Sequence, residues 1–207
     1  MAEPRDVFSL FSTPVVVFDL PAMEQVNHAL ATELLAEEQA LPSWKRANVG
    51  GWHSAPTLSQ RPGAPYRTLM RAIVEHVGSV IQGLAAAVEI ERVPAYRYGV
   101  TSWAMIMRDG NYVTPHDHGE SHWSIAYYVD AGDDLPPPSG RLAFIDPRRS
   151  GRMIPEVDLL PTVFDLAPRT SALVVFPGWL QHHVHAYRGQ RPRICISANI
   201  SLDVERA

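Results

Sequence analysis

The sequence predicts an α+β fold, mainly β, in which helices pack outside an antiparallel sandwich or barrel. Three observations carry this expectation. The first ninety residues hold two stretches whose apolar positions recur every three or four residues. Beyond about residue 90 the pattern changes to short β-like segments punctuated by Pro and Gly. The chain has 207 residues, 46% hydrophobic and 19% charged, enough to bury one sizeable core. A double-stranded β-helix (jelly roll) fits that order of elements. We therefore expect a single domain over 1–207, with a helical N-terminal part over 1–90 and the jelly-roll core over 91–207.

Taken in order, Pro14-Val15-Val16-Val17-Phe18 reads as a short strand. From Pro21, which suits a first helical position, Met23, Val26, Leu30 and Leu34 mark an amphipathic helix with Glu37 and Glu38 on its polar side. Leu69, Ile73, Val77, Ile81 and Leu84 mark a second. Between them lie Gly50-Gly51-Trp52-His53-Ser54 and a Pro/Gly-rich loop around Arg61-Pro62-Gly63. The predicted strands are Val100–Met107, Trp123–Val129, Arg141–Ile145, Ser171–Phe176 and Arg193–Leu202. The segment from Asp130 to Ser139 is either a plain connection or a lid over the barrel mouth.

Charge and composition exclude several classes. With 18 Lys+Arg against 22 Asp+Glu the net charge is −4, so no basic field exists to attract a duplex nucleic acid. Met1-Ala-Glu-Pro-Arg-Asp has no basic region followed by an apolar one, and no apolar run is long enough to span a bilayer, so neither secretion nor a membrane partner is expected. The single cysteine, Cys195, rules out an internal disulfide and fits a reducing cytoplasm. The oligomeric state, a homodimer through the N-terminal helices included, stays open.

Two histidine clusters carry the chemistry. Pro115-His116-Asp117-His118-Gly119-Glu120 places two imidazoles at i and i+2, which on a strand share one face. Phe176-Pro177-Gly178-Trp179-Leu180-Gln181-His182-His183-Val184-His185 supplies a third, and Arg193 follows eleven residues after His182. Imidazole binds divalent iron, copper and zinc well. An oxygenase that chelates 2-oxoglutarate on Fe(II) and leaves room for dioxygen can offer only three protein ligands on one face. It also needs a bidentate cation, best an arginine, for the distal carboxylate of the co-substrate. His116, His118 and His182 fit the metal, and Arg193 the carboxylate. In the last predicted strand Arg193, Cys195, Ser197 and Asn199 alternate with Ile194, Ile196, Ala198 and Ile200, so one polar side can face a cavity, where Ser197 or Asn199 adds hydrogen bonds. Three ligand sets remain open: all three imidazoles; a shifted register of His118, Glu120 and His182; or two histidines with water. Asp117 would point away from both neighbouring histidines.

His116-Asp-His118 through Ser124-Ile125-Ala126-Tyr127-Tyr128 resembles the His-x-His…Ser-Gly-Val-Tyr-Tyr block of a bacterial family of 2-oxoglutarate–Fe(II) oxygenases. Phe176-Pro177-x-Trp179-Leu180-x-His182-x-Val184 with Arg193-Ile194-x-Ile196-Ser197-x-Asn199 resembles its second block. Gly51-Trp52-x-Ser54 and Leu10-Phe11-x-Thr13-Pro14 are similar to its N-terminal markers. The resemblance implies a jelly roll, Fe(II), 2-oxoglutarate, and His116, His118, His182 and Arg193 in the roles above. Ile125, His183, His185 and Cys195 depart from the family pattern.

The expected activity is that of a dioxygenase, an oxidoreductase that hydroxylates a small molecule or peptide while 2-oxoglutarate becomes succinate. Two rivals stand beside it: a three-histidine cupin-like dioxygenase that does not use 2-oxoglutarate, and a jelly roll that binds metal or ligand without turnover. Tyr127 and Tyr128 alternate sides, so one of them, taken as Tyr128, faces the cavity and binds co-substrate. Trp103, Trp123 and Trp179 are expected to pack, with one lining the cavity. His28, His53 and His76 are expected at the surface or in the core, and His183 and His185 at the pocket edge or exposed.

Overall fold

The computed structural model describes residues 11–148 and 161–205. Leu10 and the segment Met1–Asp6 lie outside the described residues. The elements are β1 (Val16–Asp19), α1 (Glu24–Ala40), β2 (Asn48–Val49), β3 (Trp52–His53), α2 (Ala64–Ala87), β4 (Tyr96–Met107), β5 (Tyr112–His116), β6 (Trp123–Asp130), β7 (Leu142–Ile145), β8 (Val163–Leu166), β9 (Ala172–Pro177), β10 (His182–Val184) and β11 (Arg193–Val204). A 3₁₀ turn at Pro21–Met23 leads into α1, so the proline stands one short turn before the α-helix rather than in its first position.

The strands form two antiparallel sheets, β1-β9-β6-β11-β4-β3 and β2-β5-β10-β7-β8, the mainly-β arrangement with helices outside that the sequence predicts. The larger sheet is covered on both faces. Its outer face packs Ile125 and Tyr127 of β6, Leu173 and Val175 of β9, and Ile194, Ile196, Ala198 and Ile200 of β11 against Leu30 and Leu34 of α1 and Leu69, Ile73 and Val77 of α2. Its inner face presents Ala126, Tyr128, Val174, Phe176 and Cys195 to Leu142 and Phe144 of the smaller sheet. Period-two alternation on β6, β9 and β11 thus builds two apolar layers from one set of strands. Each fully buried aliphatic side chain adds about 1.5–3 kcal/mol of transfer free energy.

Several expectations change. Tyr127 and Tyr128 are both buried, because the outer face meets helices rather than water. The Tyr127 hydroxyl donates to Asn27 Oδ1 of α1 at 2.6 Å, and Asn27 Nδ2 donates to Ser171 Oγ at 2.8 Å. Leu84 is exposed, since the last turns of α2 run past the packed core and nothing lies within 4 Å of a Cβ built at Gly83. Glu37 and Glu38 are not free in solvent: they pair with Arg61 and Arg108. The short strands β2, β3 and β8 go unpredicted because two to four residues carry too little periodicity to register.

The strand expected to open at Pro115 and carry both His116 and His118 instead ends at His116. β5 pairs with β10 through His116↔His182 and Val113↔Val184, with an irregularity between them. Two β5 residues, Thr114 and Pro115, there face the single residue His183. Pro115, which has no N–H to give to a ladder, sits in that bulge.

Asn27→Leu should lower the unfolding free energy by about 1–3 kcal/mol, because it removes the acceptor of a buried hydroxyl. Adding Tyr127→Phe, which deletes both polar partners, should recover part of the loss. Urea unfolding of the single and double variants checks both statements.

Candidate metal centre and its chamber

Three imidazoles converge from two separate segments. The register places His182 of β10 opposite His116 of β5, with Phe144 of β7 on its other side, and cross-strand partners share a face. Ring centroids are 4.4 Å apart for His116–His182, 5.0 Å for His116–His118 and 5.4 Å for His118–His182. One nitrogen from each lies within 4.8 Å of the others, and among the described residues no other group of His, Cys, Asp or Glu meets that criterion.

Two rings are held by the backbone. His116 Nδ1 lies 2.8 Å from the Thr114 carbonyl and His182 Nδ1 lies 2.9 Å from the Leu180 carbonyl. A carbonyl can only accept, so Nδ1 carries the proton in each and Nε2 keeps its lone pair for a metal. His118 lies beyond β5, and its position depends on the second histidine block. Its backbone N–H donates to the Gly178 carbonyl at 2.7 Å, and its carbonyl accepts from Ser121 N–H at 2.8 Å. A Cβ at Gly178 would collide with the carbonyls of Ser121 and His118. The Pro177-Gly178 turn therefore seats the His118 loop, and glycine is required there.

Burial pushes the His182 imidazole down to about 3, helped by the charge of His116 and opposed by the Leu180 carbonyl. Burial, then His116, takes His118 down to about 4, against Asp117. Both are neutral at physiological pH, the form that ligates. Of the two nearby carboxylates, Asp117 accepts from Gly119 N–H at 3.1 Å. Glu120 is exposed and outside the histidine group. The His118/Glu120 register is therefore not the one in which the side chains gather.

Against the histidines lies a small, partly enclosed chamber of about 60 Å³, lined by Tyr128, Phe176, Arg193, Cys195 and Ser197 together with the three imidazoles. Arg193 is 2% exposed. Its guanidinium stacks 5.0 Å from the centroid of the Tyr128 ring and donates to Met107 Sδ at 3.4 Å. Arg193 Nε and the Tyr128 hydroxyl are buried with no hydrogen-bond partner among the described residues. Burial raises the Tyr128 hydroxyl to about 12, with Arg193 opposing, so it remains a donor. A buried guanidinium Nε and a buried phenol that lack acceptors are costly unless a ligand supplies them, and a carboxylate matches both donors.

Asn199 does not join Arg193. Its Oδ1 accepts from Ser124 at 3.1 Å, and it opens instead on an outer cavity of about 470 Å³ that shares His116 and His118 with the chamber. It stands six positions along an extended strand from Arg193, too far for one small ligand group to meet both. The Asp130–Ser139 loop is no lid over the histidines. Asp133 N–H donates to the Tyr187 hydroxyl at 2.8 Å and Arg191 pairs with Asp130 at 2.7 Å. Gly132 and Gly140 lie against the Arg193 side chain, so this loop closes the arginine end.

His53, expected to be unremarkable, lines the outer cavity. It is buried, with Nδ1 2.7 Å from the Ser54 carbonyl, and its ring stacks on Trp103 at 5.8 Å. Trp103 in turn lies 5.6 Å from His118. Burial lowers the His53 pKa, opposed by the Ser54 carbonyl and aided by Arg46. The Gly51-Trp52-x-Ser54 block was the available signal. Ser54 N–H donates to the Ala104 carbonyl at 3.0 Å while its Oγ accepts from Ala104 N–H at 2.9 Å, and Trp52 Nε1 donates to the Leu41 carbonyl at 3.0 Å. These bonds pin His53 beside β4. His183 and His185 are half-buried, 4.7 Å apart, with His185 on Asp165 at 3.0 Å. Trp179 is exposed and Trp123 half-buried.

Fold and site together define a two-sheet jelly roll with a histidine group that could hold a metal ion beside a chamber lined by a buried arginine. Residues 101–199 match the family described as "Putative 2OG-Fe(II) oxygenase". The fold is shared with a Pseudomonas putida prolyl-4-hydroxylase (TM-score 0.63, 16% identity, 96% of each chain covered). It is shared with a Trichoplax adhaerens prolyl hydroxylase solved with a hypoxia inducible factor peptide fragment (0.62, 12%, 93% of this chain and 85% of that). HygX of Streptomyces hygroscopicus, solved with nickel and 2-oxoglutarate, has the same fold (0.57, 10%, 91% and 83%). No curated protein matches the sequence. The family match and the shared fold support a 2-oxoglutarate-dependent iron oxygenase. Among the described residues no helix is long and apolar enough to cross a membrane.

Ser54→Ala should leave the buried Ala104 N–H without its acceptor and destabilise the protein by about 1–3 kcal/mol. Thermal unfolding measures that loss, and an unchanged Tm would contradict it.

Proposed function

We propose that this chain is a single-domain, cytoplasmic 2-oxoglutarate- and Fe(II)-dependent hydroxylase acting on a small molecule or peptide. His116, His118 and His182 hold the metal. The observation that carries the reading is Arg193: a buried guanidinium with no carboxylate partner among the described residues, in a partly enclosed chamber that the three imidazoles also line. A three-histidine dioxygenase with no 2-oxoglutarate would have no use for that cation, and a passive metal-binding module would need neither the chamber nor its two unsatisfied donors.

When bound, Fe(II) and 2-oxoglutarate supply the oxidising chemistry, in which dioxygen is consumed, the co-substrate becomes succinate and CO₂, and one oxygen atom enters a C–H bond. The protein's own part is positional. Thr114 and Leu180 hold the Nδ1 protons of His116 and His182, so both rings present Nε2. Arg193 and the Tyr128 hydroxyl take the distal carboxylate, and Ser197 lines the passage from them to the histidines. Asn199 we place toward the outer cavity, where a substrate approaches. Phe144 and Phe176 pack around His182 at 6.4 and 4.9 Å, keeping water from that side of the site.

His182→Ala should abolish stoichiometric Fe(II) binding in anaerobic equilibrium dialysis while the far-ultraviolet spectrum stays that of a folded protein. Full iron occupancy in that variant would refute the ligand assignment. Arg193→Gln should weaken 2-oxoglutarate binding by about 30-fold or more, since breaking a buried charge pair costs roughly 2–5 kcal/mol. Succinate release against 2-oxoglutarate concentration reads this out, and an unchanged KM would count against the arginine.

A further inference from the structure

The outer cavity has a charge pattern that the oxygenase chemistry does not require. It opens on His116 and His118 and, at about 470 Å³, lies within the range of small-molecule sites. Trp103, Met105, Val113 and Pro56 make its apolar walls. Of the described residues lining it, Arg46 alone carries a fixed charge, and no carboxylate faces it there. Arg46 stands at the rim. Its backbone N–H donates to Asn48 Oδ1 at 2.9 Å, and its guanidinium lies 5.7 Å from the centroid of the Trp44 ring. The segment is held in turn by Thr114, whose backbone N–H and hydroxyl both donate to the Ala47 carbonyl, at 2.9 and 3.1 Å. The cation is thereby carried on a fastened stretch of chain that lines the same cavity as the first histidine.

We propose that this cavity is the substrate site and takes a small molecule with a carboxylate on an apolar body, the carboxylate pairing with Arg46 and the body lying along Trp103. The assignment rests on the 2-oxoglutarate reading above. An amine would meet the charge of Arg46 with no acid to balance it. The imidazoles of His53, His116 and His118 that line the cavity likewise bring no negative charge to it. The flat Trp103 ring, with the rings of His53 and His118 centred 5.8 and 5.6 Å away, offers a rigid apolar surface, so the body of the substrate is bound without reordering the wall.

The test uses the protein loaded with Fe(II) and saturating 2-oxoglutarate without oxygen, so that the Arg193 chamber is filled and nothing turns over. Two probes of matched shape and opposite charge, 3-phenylpropionate and 3-phenylpropylamine, are titrated calorimetrically. Wild type should bind the carboxylate about fivefold more tightly than the amine, as expected of one partly exposed ion pair. Arg46→Gln should remove the preference and Arg46→Glu should invert it. Arg46 is exposed, so neither variant threatens the fold. The weak visible charge-transfer band of the Fe(II)–2-oxoglutarate complex, recorded on the same samples, separates the two readings. A band accompanied by equal binding of both probes, or by a preference that Arg46→Glu leaves in place, overturns the cavity assignment alone. A wild-type protein that forms no band overturns the 2-oxoglutarate reading and takes the cavity assignment with it.

Discussion

In an antiparallel pair, residues directly opposite each other share a face with their Cβ atoms about 4.5–5.5 Å apart. The β5–β10 register applies that geometry to His116 and His182. Moving the register by one residue would turn one of the imidazoles to the other face of the sheet and place His183 where His182 stands. The bulge at Thr114–Pro115 matters for the same reason. It takes up one extra residue between the Val113↔Val184 pair and the histidine pair, so both the apolar contact and the ligand contact face inward. The third ring does not follow from this ladder. It comes from a loop seated on the Pro177-Gly178 turn, which itself leads into β10, so all three rings depend on the same few residues of chain.

Opposite this cluster the structure holds a buried cation at the far end of a small chamber. Leaving a guanidinium Nε and a phenol without acceptors in an apolar interior costs several kcal/mol. The fold bears this because β11, with β4 one of its two longest strands, is matched residue for residue with β4 from Arg193↔Met107 to Val204↔Tyr96 and flanked by β6 on its other edge. Arg193 begins that strand and is sealed by the fastened Asp130–Ser139 loop. Rigidity around an unsatisfied group is what a ligand site needs, since the ordering is complete before the ligand arrives.

The two faces of the larger sheet divide the labour. Its outer face is a plain apolar layer against two helices, with one polar tie through Asn27 and Tyr127. Its inner face changes character along each strand: on β11 it runs from Arg193 through Cys195 and Ser197 to Asn199, from the partly enclosed chamber to the more open cavity. One strand thus spans the chamber and the outer cavity, and β4 does the same with Met107, Met105 and Trp103.

The sequence by itself determined the β11 alternation and the helix positions, and it singled out His116, His118, His182 and Arg193 as candidates with the ligand set left open. Alternation and helical periodicity are local properties of spacing, written within one or two dozen residues. Only the tertiary structure decided that both tyrosines are buried, that His118 hangs from a turn rather than a strand, that Asn199 parts company with Arg193, and that His53 and Arg46 line the cavity onto which His116 and His118 open. Those facts depend on what covers a surface and on which distant segments pair. Such contacts join residues tens of positions apart, and no periodic pattern along the chain encodes them.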